Sequence, residues 1–320
     1  MTSMFGRRYR VRVLKDPDDG ENDGQSATLL TVSDSNWEPE SLRVVFDINL
    51  LANYAVSYGD VSIFNLNTQT QNDLIQEGCV VQVEAGYQNG HYGNIFTGRV
   101  MQVLYEHRNV TDFVTTLHCL WGYKQLVHEF VNFSVGPNMS VQRDLIAQMS
   151  RNSRTQFGDT VVGDLQTKSL PRGKGFFGHP RKYLQQIAED NSMQWWFSED
   201  LEKGIMTMVD LTKPSSRDPI VVSPETGLIG YPQQWQNGVN LTVQLDPRFT
   251  VMAPPMTVKM TSNTAIRQIP TVQQNYVRPL DKDFIYNIGG VRHVGDTRGQ
   301  QWETQICGWM AGDSYLGNNS

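Results

Sequence analysis

The residues with the strongest chemical signal are the glycines Gly173, Gly175 and Gly178, which follow the spacing G-x-G-x-x-G. When an apolar strand leads into such a run and a helix follows, the bare backbone binds a dinucleotide pyrophosphate, and an acid such as Glu199 binds the ribose. The preceding residues 164–172 are polar and contain a proline, and two phenylalanines crowd the run. The sequence therefore favours a flexible loop that enters a helix over a nicotinamide-dependent oxidoreductase.

Histidines and cysteines lack the spacing of metal ligands in this chain. No histidines occur as HxH, HxxxH or HExxH, and no cysteines as CxxC. His118 falls in a predicted strand and is interpreted as a hydrogen-bonded structural residue. Cys79, Cys119 and Cys307 are odd in number and far apart, so we predict three small, buried, apolar side chains. The six histidines are His91, His107, His118, His128, His179 and His293.

Carboxylates could supply the catalytic pair of a glycosidase, in which two acids face each other across the sugar. Glu189 and Asp190 are adjacent at the end of a predicted helix, and Glu199 and Asp200 at the tip of a predicted turn. Acids in such places usually face water, so we expect solvated surface there. Motifs for a nucleophilic serine (G-x-S-x-G) and for a phosphate loop are missing from the sequence. We assign no catalytic, cofactor-binding or metal-binding residue and predict that the chain is not an enzyme.

An acidic, glycine-rich stretch at residues 16–24 invites comparison with a calcium loop. An EF-hand loop needs glycine at its sixth position and glutamate at its twelfth. Counted from Asp16, these positions hold Glu21 and Ala27. The stretch is therefore interpreted as a solvated loop between strands, and the presence of a bound ion stays open.

Two adjacent tryptophans, Trp195 and Trp196, could stack on a sugar. Neighbours on a strand point to opposite faces, so we expect one in a core and the other against a helix or a partner. Interface packing is the preferred interpretation over carbohydrate binding.

The composition is that of an ordinary globular protein of two or three domains, with 39% hydrophobic and 19% charged residues. No apolar run approaches the roughly 18 residues that span a bilayer, and residues 1–15 lack a signal-peptide core. The net charge of -6 argues against a dedicated nucleic-acid binder. It is compatible with a surface past which DNA slides, because a mildly negative wall repels phosphate.

Alternating apolar and polar residues predict two β-rich regions. In the first, Tyr9, Val11 and Val13 alternate with arginines, and a hairpin turn is expected at residues 108–112. A short polar helix at residues 68–77 should end at Gly78. The remaining predicted strands are residues 42–48, 61–66, 80–85, 94–105 and 113–120 in the first region, and 239–245, 256–260, 284–294 and 302–309 in the second.

Helical periodicity appears between these β-rich regions. Ser140 is a predicted N-cap of one helix, and Pro180 starts another. Strands at residues 193–198 and 205–211, joined by a turn at 200–204, should form a hairpin that packs on the helices. Residues 213–219 have the composition of a linker.

Several sequence segments, taken in their order along the chain, resemble segments of phage baseplate hub and late-control tail proteins. The resemblance covers nearly the whole chain, although residues 249–276 are longer and more proline-rich than the family pattern. The segments on which the resemblance rests are residues 65–78, 80–87, 95–100, 140–149, 180–210, 223–230, 245–248 and 291–299 with Trp302.

The resemblance implies a mainly β chain in which two tube-like antiparallel β-barrel domains flank a small α+β domain. The first barrel is placed at residues 1–123, the α+β domain at 124–215 and the second barrel at 216–320. It further implies a homotrimeric ring that joins a sixfold tail tube to a threefold central spike and forms part of the DNA channel. Baseplate wedge or tape-measure proteins are further expected partners.

In this view DNA passes through the channel without specific binding, and the chain does not insert into membranes. The expected location is the tail baseplate of the virion, with the host cytoplasm as the place of assembly. A tail-associated cell-wall hydrolase and a carbohydrate-binding tail module remain the alternatives, and a contractile phage tail is not distinguished from a related injection machine.

Overall fold

The computed structural model describes most of the chain. The described residues are 6–16, 27–34, 41–73, 76–109, 111–199, 204–235, 238–261, 267–268 and 285–310. Most of the candidate calcium loop, residues 200–203 of the turn predicted at 200–204, and much of the proline-rich stretch after residue 261 lie outside these ranges.

The first β-rich region, called the first module below, contains seven strands and one short helix. Its elements are β1 (Arg7–Leu14), β2 (Thr28–Ser33), β3 (Val44–Leu51), β4 (Tyr58–Phe64), α1 (Thr68–Asp73), β5 (Val80–Tyr87), β6 (Tyr92–His107) and β7 (Phe113–Leu120). The predicted strands and hairpin turn are confirmed, whereas β2 was missed. The predicted helix is present as α1, but residue 76 is no longer helical, so the prediction that the helix runs to Gly78 is wrong. Gly78 instead lies in a turn before β5, with a φ of 88°.

The middle segment folds as two small sheets with three helices. Its elements are α2 (Tyr123–Val127), β8 (Val131–Val135), α3 (Gln142–Asn152), β9 (Gly158–Val162), β10 (Lys174–Gly178), α4 (Arg181–Asp190), β11 (Gln194–Glu199) and β12 (Gly204–Val209). Strand β10 pairs antiparallel with β8, and β12 lies between antiparallel β11 and parallel β9.

Two local predictions in the middle segment are wrong. The glycine run is not a flexible loop, because Lys174–Gly178 is strand β10, held in register against β8. The residue that caps α3 is Val141 rather than Ser140, and the Asp144 carboxylate accepts the Val141 amide hydrogen at 3.4 Å. The second helix begins at Arg181, directly after Pro180.

The second β-rich region, the second module, follows the linker and contains a short 3-10 turn at Pro224–Thr226 between its first two strands. Its strands are β13 (Ile220–Val222), β14 (Leu228–Trp235), β15 (Gly238–Gln244), β16 (Thr257–Met260), β17 (Arg267–Gln268), β18 (Ile285–Asp296) and β19 (Trp302–Met310). The four strands predicted here are confirmed, and β13, β14 and β17 were missed.

Both modules belong to one 14-stranded sheet, which is continuous across them. The first module runs in the order β3-β4-β7-β6-β5-β1-β2, and the second in the order β14-β15-β19-β18, with β16 and then β13 beyond β18. The modules meet where β3 pairs antiparallel with β18. The mainly β fold class, with antiparallel sheets and an α+β middle segment, is confirmed.

Two hydrophobic cores lie in the described chain. The large one fills both modules, and the small one fills the middle segment. Strand β11 lies between them, because Trp196 belongs to the large core while Trp195 and Phe197 belong to the small one. The division at residues 123 and 215 stays a prediction. Within the described ranges, no helix combines the length and hydropathy that crossing a bilayer requires.

Candidate functional site

The sheet presents one broad polar face to solvent. Along its strands, side chains alternate between the large core and this face, because neighbours on a strand point to opposite sides. We call it the polar face. Its polar members are Asp47, Asn49, Asp60, Ser62, Thr116, His118, Asn240, Thr242, Arg292, Glu303 and Gln305.

The polar face is continuous across the joint between the modules. Thr242, Gln305, Arg292, Asn49 and Tyr58 stand directly opposite one another on five successive strands. Residues that face each other across strands share a face of the sheet. One row of side chains therefore passes from the second module into the first without interruption.

Ion pairs and hydrogen bonds on the polar face tie neighbouring strands together. Arg292 donates from Nε and Nη2 to the two Asp47 oxygens at 2.8 and 2.6 Å, which bridges the joint. His118 Nδ1 lies 2.6 Å from Asp60 Oδ1 between β7 and β4. The set holds three carboxylates against one guanidinium, so this part of the sheet is mildly acidic. Farther along the same side of the sheet, Arg8, Arg10 and Arg12 of β1 are ion-paired with Asp34 or Glu84.

An open cleft of about 420 Å³ lies on the polar face. Residues from β3, β14, β15, β18 and β19 line it, and of this described lining Arg292 is the only charged member. Acid–base or nucleophilic catalysis needs a positioned titratable group within hydrogen-bond reach of a substrate. The guanidinium of Arg292 is paired with Asp47, and burial raises the pKa of the Cys307 thiol in the same lining, so neither group is activated for catalysis.

A buried ion cluster fixes the middle segment to the first module. Arg99 of β6 donates from Nε to Glu199 Oε1 of β11 at 2.7 Å, and both side chains are 1% exposed. Its Nη1 lies 2.8 Å from Asp16 Oδ1, and Lys124 Nζ lies 2.7 Å from Asp16 Oδ2. Burial raises the pKa of the Glu199 carboxyl, although the guanidinium of Arg99 opposes the shift.

The second module holds the middle segment through a corresponding contact. Asn287 of β18 is fully buried, and its Nδ2 donates to the carbonyls of Leu211 at 2.7 Å and Lys213 at 2.8 Å. Both contacts come from the longest strand of their module, two residues before a register shift in that strand. Each module therefore holds the middle segment through a buried polar side chain.

Solved structures of tail proteins have a fold similar to that of this chain. A 43 kDa tail protein of a Shewanella oneidensis prophage aligns over 95% of this chain and 97% of its own, with TM-score 0.55 and 8% identity. A Neisseria meningitidis tail protein aligns over the same shares, with TM-score 0.52 and 11% identity. The chain has the phage tail-protein fold.

A third similar structure comes from a secretion machine. It is an Escherichia coli type VI secretion component, described as structurally similar to the T4 bacteriophage tail proteins gp27 and gp5. It aligns over 87% of this chain and 76% of its own, with TM-score 0.54 and 9% identity. No protein-family model and no curated protein matches the sequence. The predicted resemblance is confirmed at the level of fold.

In this fold the candidate dinucleotide motif forms a strand. Phe176 of β10 is buried and stacks on Phe133 of β8 at 4.7 Å between ring centroids. A dinucleotide site needs glycines in the turn between a parallel strand and a helix. Here the run lies in an antiparallel ribbon, so this arrangement offers no such turn.

The predicted histidine and cysteine roles are largely confirmed. His118 is hydrogen-bonded, as expected of a structural residue, and Cys79 and Cys119 are buried. Cys307 is half-exposed on the polar face, so the prediction of burial is wrong there. Among the described residues, no group of three or more possible ligands is placed to hold a metal ion.

His293 is a buried histidine whose surroundings sequence reasoning did not identify. Its Nε2 donates to the Phe249 carbonyl at 3.1 Å, and its Nδ1 accepts from the Thr304 hydroxyl at 2.9 Å. Burial lowers the pKa of His293 to about 4, so the ring is neutral in the folded chain.

The expectation of solvated acids holds for Glu189 and Asp190 but is wrong for Glu199, which is buried against Arg99. Asp200 lies outside the described residues. One sequence signal could have indicated this pair. Arg99 stands in the run 95–100, which otherwise holds only apolar, small or uncharged residues, and a charge in such a buried run requires a partner.

Both tryptophans of the adjacent pair pack inside the chain. Trp195 Nε1 donates to Gln185 Oε1 on α4 at 2.7 Å, and Trp196 enters the large core. The prediction that the two point to a core and to a helix is confirmed. Neither ring is exposed for sugar stacking.

Proposed function

We propose that the chain is a structural hub of a phage tail baseplate that forms part of the DNA channel. The observation that carries the proposal is the joint between β3 and β18, which unites two modules of the same strand order in one sheet. A sheet that continues from module to module with one polar face is what a channel wall requires. The similar tail proteins support this use of the fold.

The number of modules suggests how the symmetry of a tail could change at this point. Three copies of the chain would present six modules, which suits a sixfold tail tube on one side and a threefold spike on the other. A closed ring also leaves no unpaired sheet edge, which removes the risk of aggregation. The homotrimer, the tube and spike partners, and contacts to wedge or tape-measure proteins all belong to this proposal.

The chemistry of the polar face suits transit of DNA rather than binding. Amides and hydroxyls dominate it, and its one guanidinium is paired with Asp47. Phosphate binding depends on unpaired lysine and arginine side chains, which release counterions from DNA. The polar face lets the duplex slide, and the chain acts in the virion tail after assembly in the host cytoplasm.

A structural rather than enzymatic role follows from the same surface. The described lining of the cleft holds no pair of facing carboxylates, and the cluster around Glu199 is buried between the first module and the middle segment. Zymography on peptidoglycan and binding to a glycan array test the hydrolase and carbohydrate-binding alternatives. Clearing of peptidoglycan or a specific glycan hit would contradict a purely structural role.

The decisive experiment is the mass of the purified chain in solution, followed by electron microscopy. We expect light scattering to give three copies at micromolar concentration, alone or with the spike protein. Images should show a ring with a central hole. A chain that stays monomeric under all these conditions, with no ring in any image, would contradict the proposal.

A further inference from the structure

Another cleft lies on the surface where the middle segment meets the first module. Its volume is about 530 Å³, within the roughly 300–1,000 Å³ range of ligand clefts. The loop after β3, the helix α2 and the start of α4 surround it. We call it the α4 groove. Its lining residues are Tyr54, Leu126, His179, Arg181, Lys182 and Gln185.

Apolar side chains line the α4 groove and continue beside it. Tyr54 is 56% exposed, and Val127, the neighbour of Leu126 in α2, is also exposed. Phe177, in β10 directly before α4, is 71% exposed, and its ring meets that of Phe130 edge-on at 5.1 Å. Exposed aromatic and aliphatic side chains that occur together mark surfaces for a partner.

The charge of the α4 groove is positive. Of its described lining residues, Arg181 and Lys182 are charged and none is an acid. His179 adds no charge at neutral pH, because burial lowers its pKa. Its Nε2 donates to the Leu126 carbonyl at 3.0 Å, and its Nδ1 accepts the Arg181 amide hydrogen at 3.1 Å. The two cations therefore set the electrostatics of the groove.

Both cations have donors available for a ligand. A guanidinium has five donor hydrogens. Among the described residues, the Arg181 side chain makes one hydrogen bond, from Nη2 to the Tyr54 carbonyl at 3.3 Å. Lys182 is exposed and makes no side-chain hydrogen bond or ion pair to the described part of the chain. An anion in the groove would thus meet two cations that have few other contacts.

The sequence around the α4 groove is basic as well. Residues 165–188 hold five lysines and arginines and no aspartate or glutamate, although the net charge of the chain is -6. Arg181 and Lys182 also occupy the first turn of α4, where the helix dipole favours negative charge over positive. Negative charge on a partner would therefore complement this surface.

The mixture of apolar and cationic lining favours a peptide over other anionic partners. Nucleic acid needs cations that follow a phosphate backbone and flat rings on which bases stack. The groove offers two neighbouring cations, and the aliphatic Leu126 lies in its lining. A bilayer surface is flat and does not enter a concave cleft. A peptide can place an apolar side chain in the groove and carboxylates beside the cations.

We infer that the α4 groove binds an acidic segment of a partner protein. An apolar side chain of that segment lies against Tyr54 and Leu126, and its carboxylates meet Arg181 and Lys182. The guanidinium of Arg181 can bind a carboxylate through two parallel hydrogen bonds, so it gives the contact its direction. The inference goes beyond the proposed hub role, because the groove is complete within one copy of the chain.

Binding of a designed peptide tests this inference. The probe is a fluorescein-labelled peptide of sequence EELFEE, and fluorescence anisotropy with the full chain should rise and saturate. The peptide EEGSEE, which has no large apolar side chain, should bind at least about tenfold more weakly. The peptide KKLFKK should not bind, because its charge is the same as that of the groove.

Charge reversal in the groove tests the role of the two cations. Arg181→Glu with Lys182→Glu should weaken EELFEE binding by at least about tenfold and should allow KKLFKK to bind. Gain of KKLFKK binding cannot result from a loss of folding. The matched control, Arg108→Glu with Lys259→Glu, changes the net charge equally at exposed positions of the two modules. It should change the affinity by less than about twofold, because salt screens distant charges.

Photocrosslinking locates the bound peptide. A benzophenone replaces the phenylalanine ring of EELFEE, and mass spectrometry identifies the labelled residues. Label within residues 52–57, 123–127 or 179–185 supports the inference, and Tyr54→Ser should lower its yield. Label that falls mainly on the polar face would overturn the inference.

Three other results would also overturn the inference. The first is no saturable binding of EELFEE, and the second is binding that Arg181→Glu with Lys182→Glu leaves unchanged. The third is that oligothymidine or phosphatidylglycerol vesicles bind more tightly than EELFEE and are lost in the same variant, which would assign the groove to a phosphate-bearing partner. None of these results alters the mass of the chain in solution, so the hub proposal is tested separately.

Discussion

Arg99 and Glu199 form an ion pair of 2.7 Å with both side chains 1% exposed, although 100 residues separate them in sequence. Arg99 belongs to the first module and Glu199 to the middle segment. Two desolvated charges stabilise a fold only when each has its partner, because either charge alone is costly in the interior. The pair therefore stabilises the placement of the middle segment only while both charges are present.

Removal of one charge should destabilise the chain severely. Arg99→Met leaves the Glu199 carboxylate buried without its guanidinium, and we expect the free energy of unfolding to fall by about 3–5 kcal/mol. The double variant Arg99→Met, Glu199→Leu should recover most of this loss, because neither charge is then buried. Urea denaturation followed by tryptophan fluorescence measures both values.

The exposed pair Arg292–Asp47 provides the comparison. Asp47→Asn should cost at most about 1 kcal/mol, because solvent screens a pair whose side chains are 45% and 35% exposed. Equal losses in Arg99→Met and Asp47→Asn would contradict a special role for the buried cluster.

His293 should make the chain sensitive to mild acid. Its folded pKa of about 4 lies below the ordinary value of 6.5, so between these pH values the unfolded chain binds a proton that the folded chain does not. The free energy of unfolding should be unaffected by this group above pH 6.5. It should fall as the pH drops from 6.5 to 4, by up to about 3 kcal/mol.

Urea titrations at several pH values between 4 and 8 check this expectation. His293→Gln should flatten the dependence, even if it lowers stability at pH 8 through the lost contacts to Phe249 and Thr304. The exposed His91→Gln variant should retain the dependence of the parent chain. An unchanged slope in His293→Gln would show that another group is responsible.

Two glycines of β18 should differ sharply in their tolerance of alanine. A Cβ at Gly295 would overlap the ring of Phe46 across the joint, whereas a Cβ at Gly290 would lie 3.3 Å from the flexible end of Leu51. We expect Gly295→Ala to cost about 1–3 kcal/mol through overpacking. Gly290→Ala should change the melting temperature little, and scanning calorimetry compares the two.

Periodicity predicted most strands because their burial follows local sequence. Tyr9, Val11 and Val13 alternate with arginines, and the structure buries them as expected. The same reasoning failed at β10, where glycines hide the alternation and Phe176 alone marks the buried face. Glycine-rich strands offer too few side chains for a period to be recognised.

Contacts between segments that are far apart in the sequence could not be predicted from local sequence patterns. Nothing near Glu199 indicates that it will be buried against Arg99. Arg99 and Asn287 differ in charge, although each lies two residues before a register shift in the longest strand of its module. The joint between β3 and β18 depends on edges that become adjacent only after both modules have folded. The net charge predicted a mildly negative surface for the chain as a whole. It did not indicate which residues form the polar face.

The charge of the polar face should decide whether the assembly retains DNA. The parent chain should bind a DNA duplex weakly, because its polar face carries no unpaired cation among the described residues named above. Thr242→Lys with Gln305→Lys adds two opposed cations to one row. Fluorescence anisotropy should then show binding that weakens about tenfold between 50 and 200 mM salt for every two phosphates contacted.

The same charge placed elsewhere distinguishes a channel surface from general attraction. Asn132→Lys with Ser134→Lys adds two cations to the exposed side of β8, away from the polar face. If the polar face surrounds DNA in a ring, lysines on it act together on one duplex, and binding should exceed that of the β8 variant by at least about tenfold. Equal binding by the two variants would contradict a channel lined by the polar face, because net charge alone would then explain the attraction.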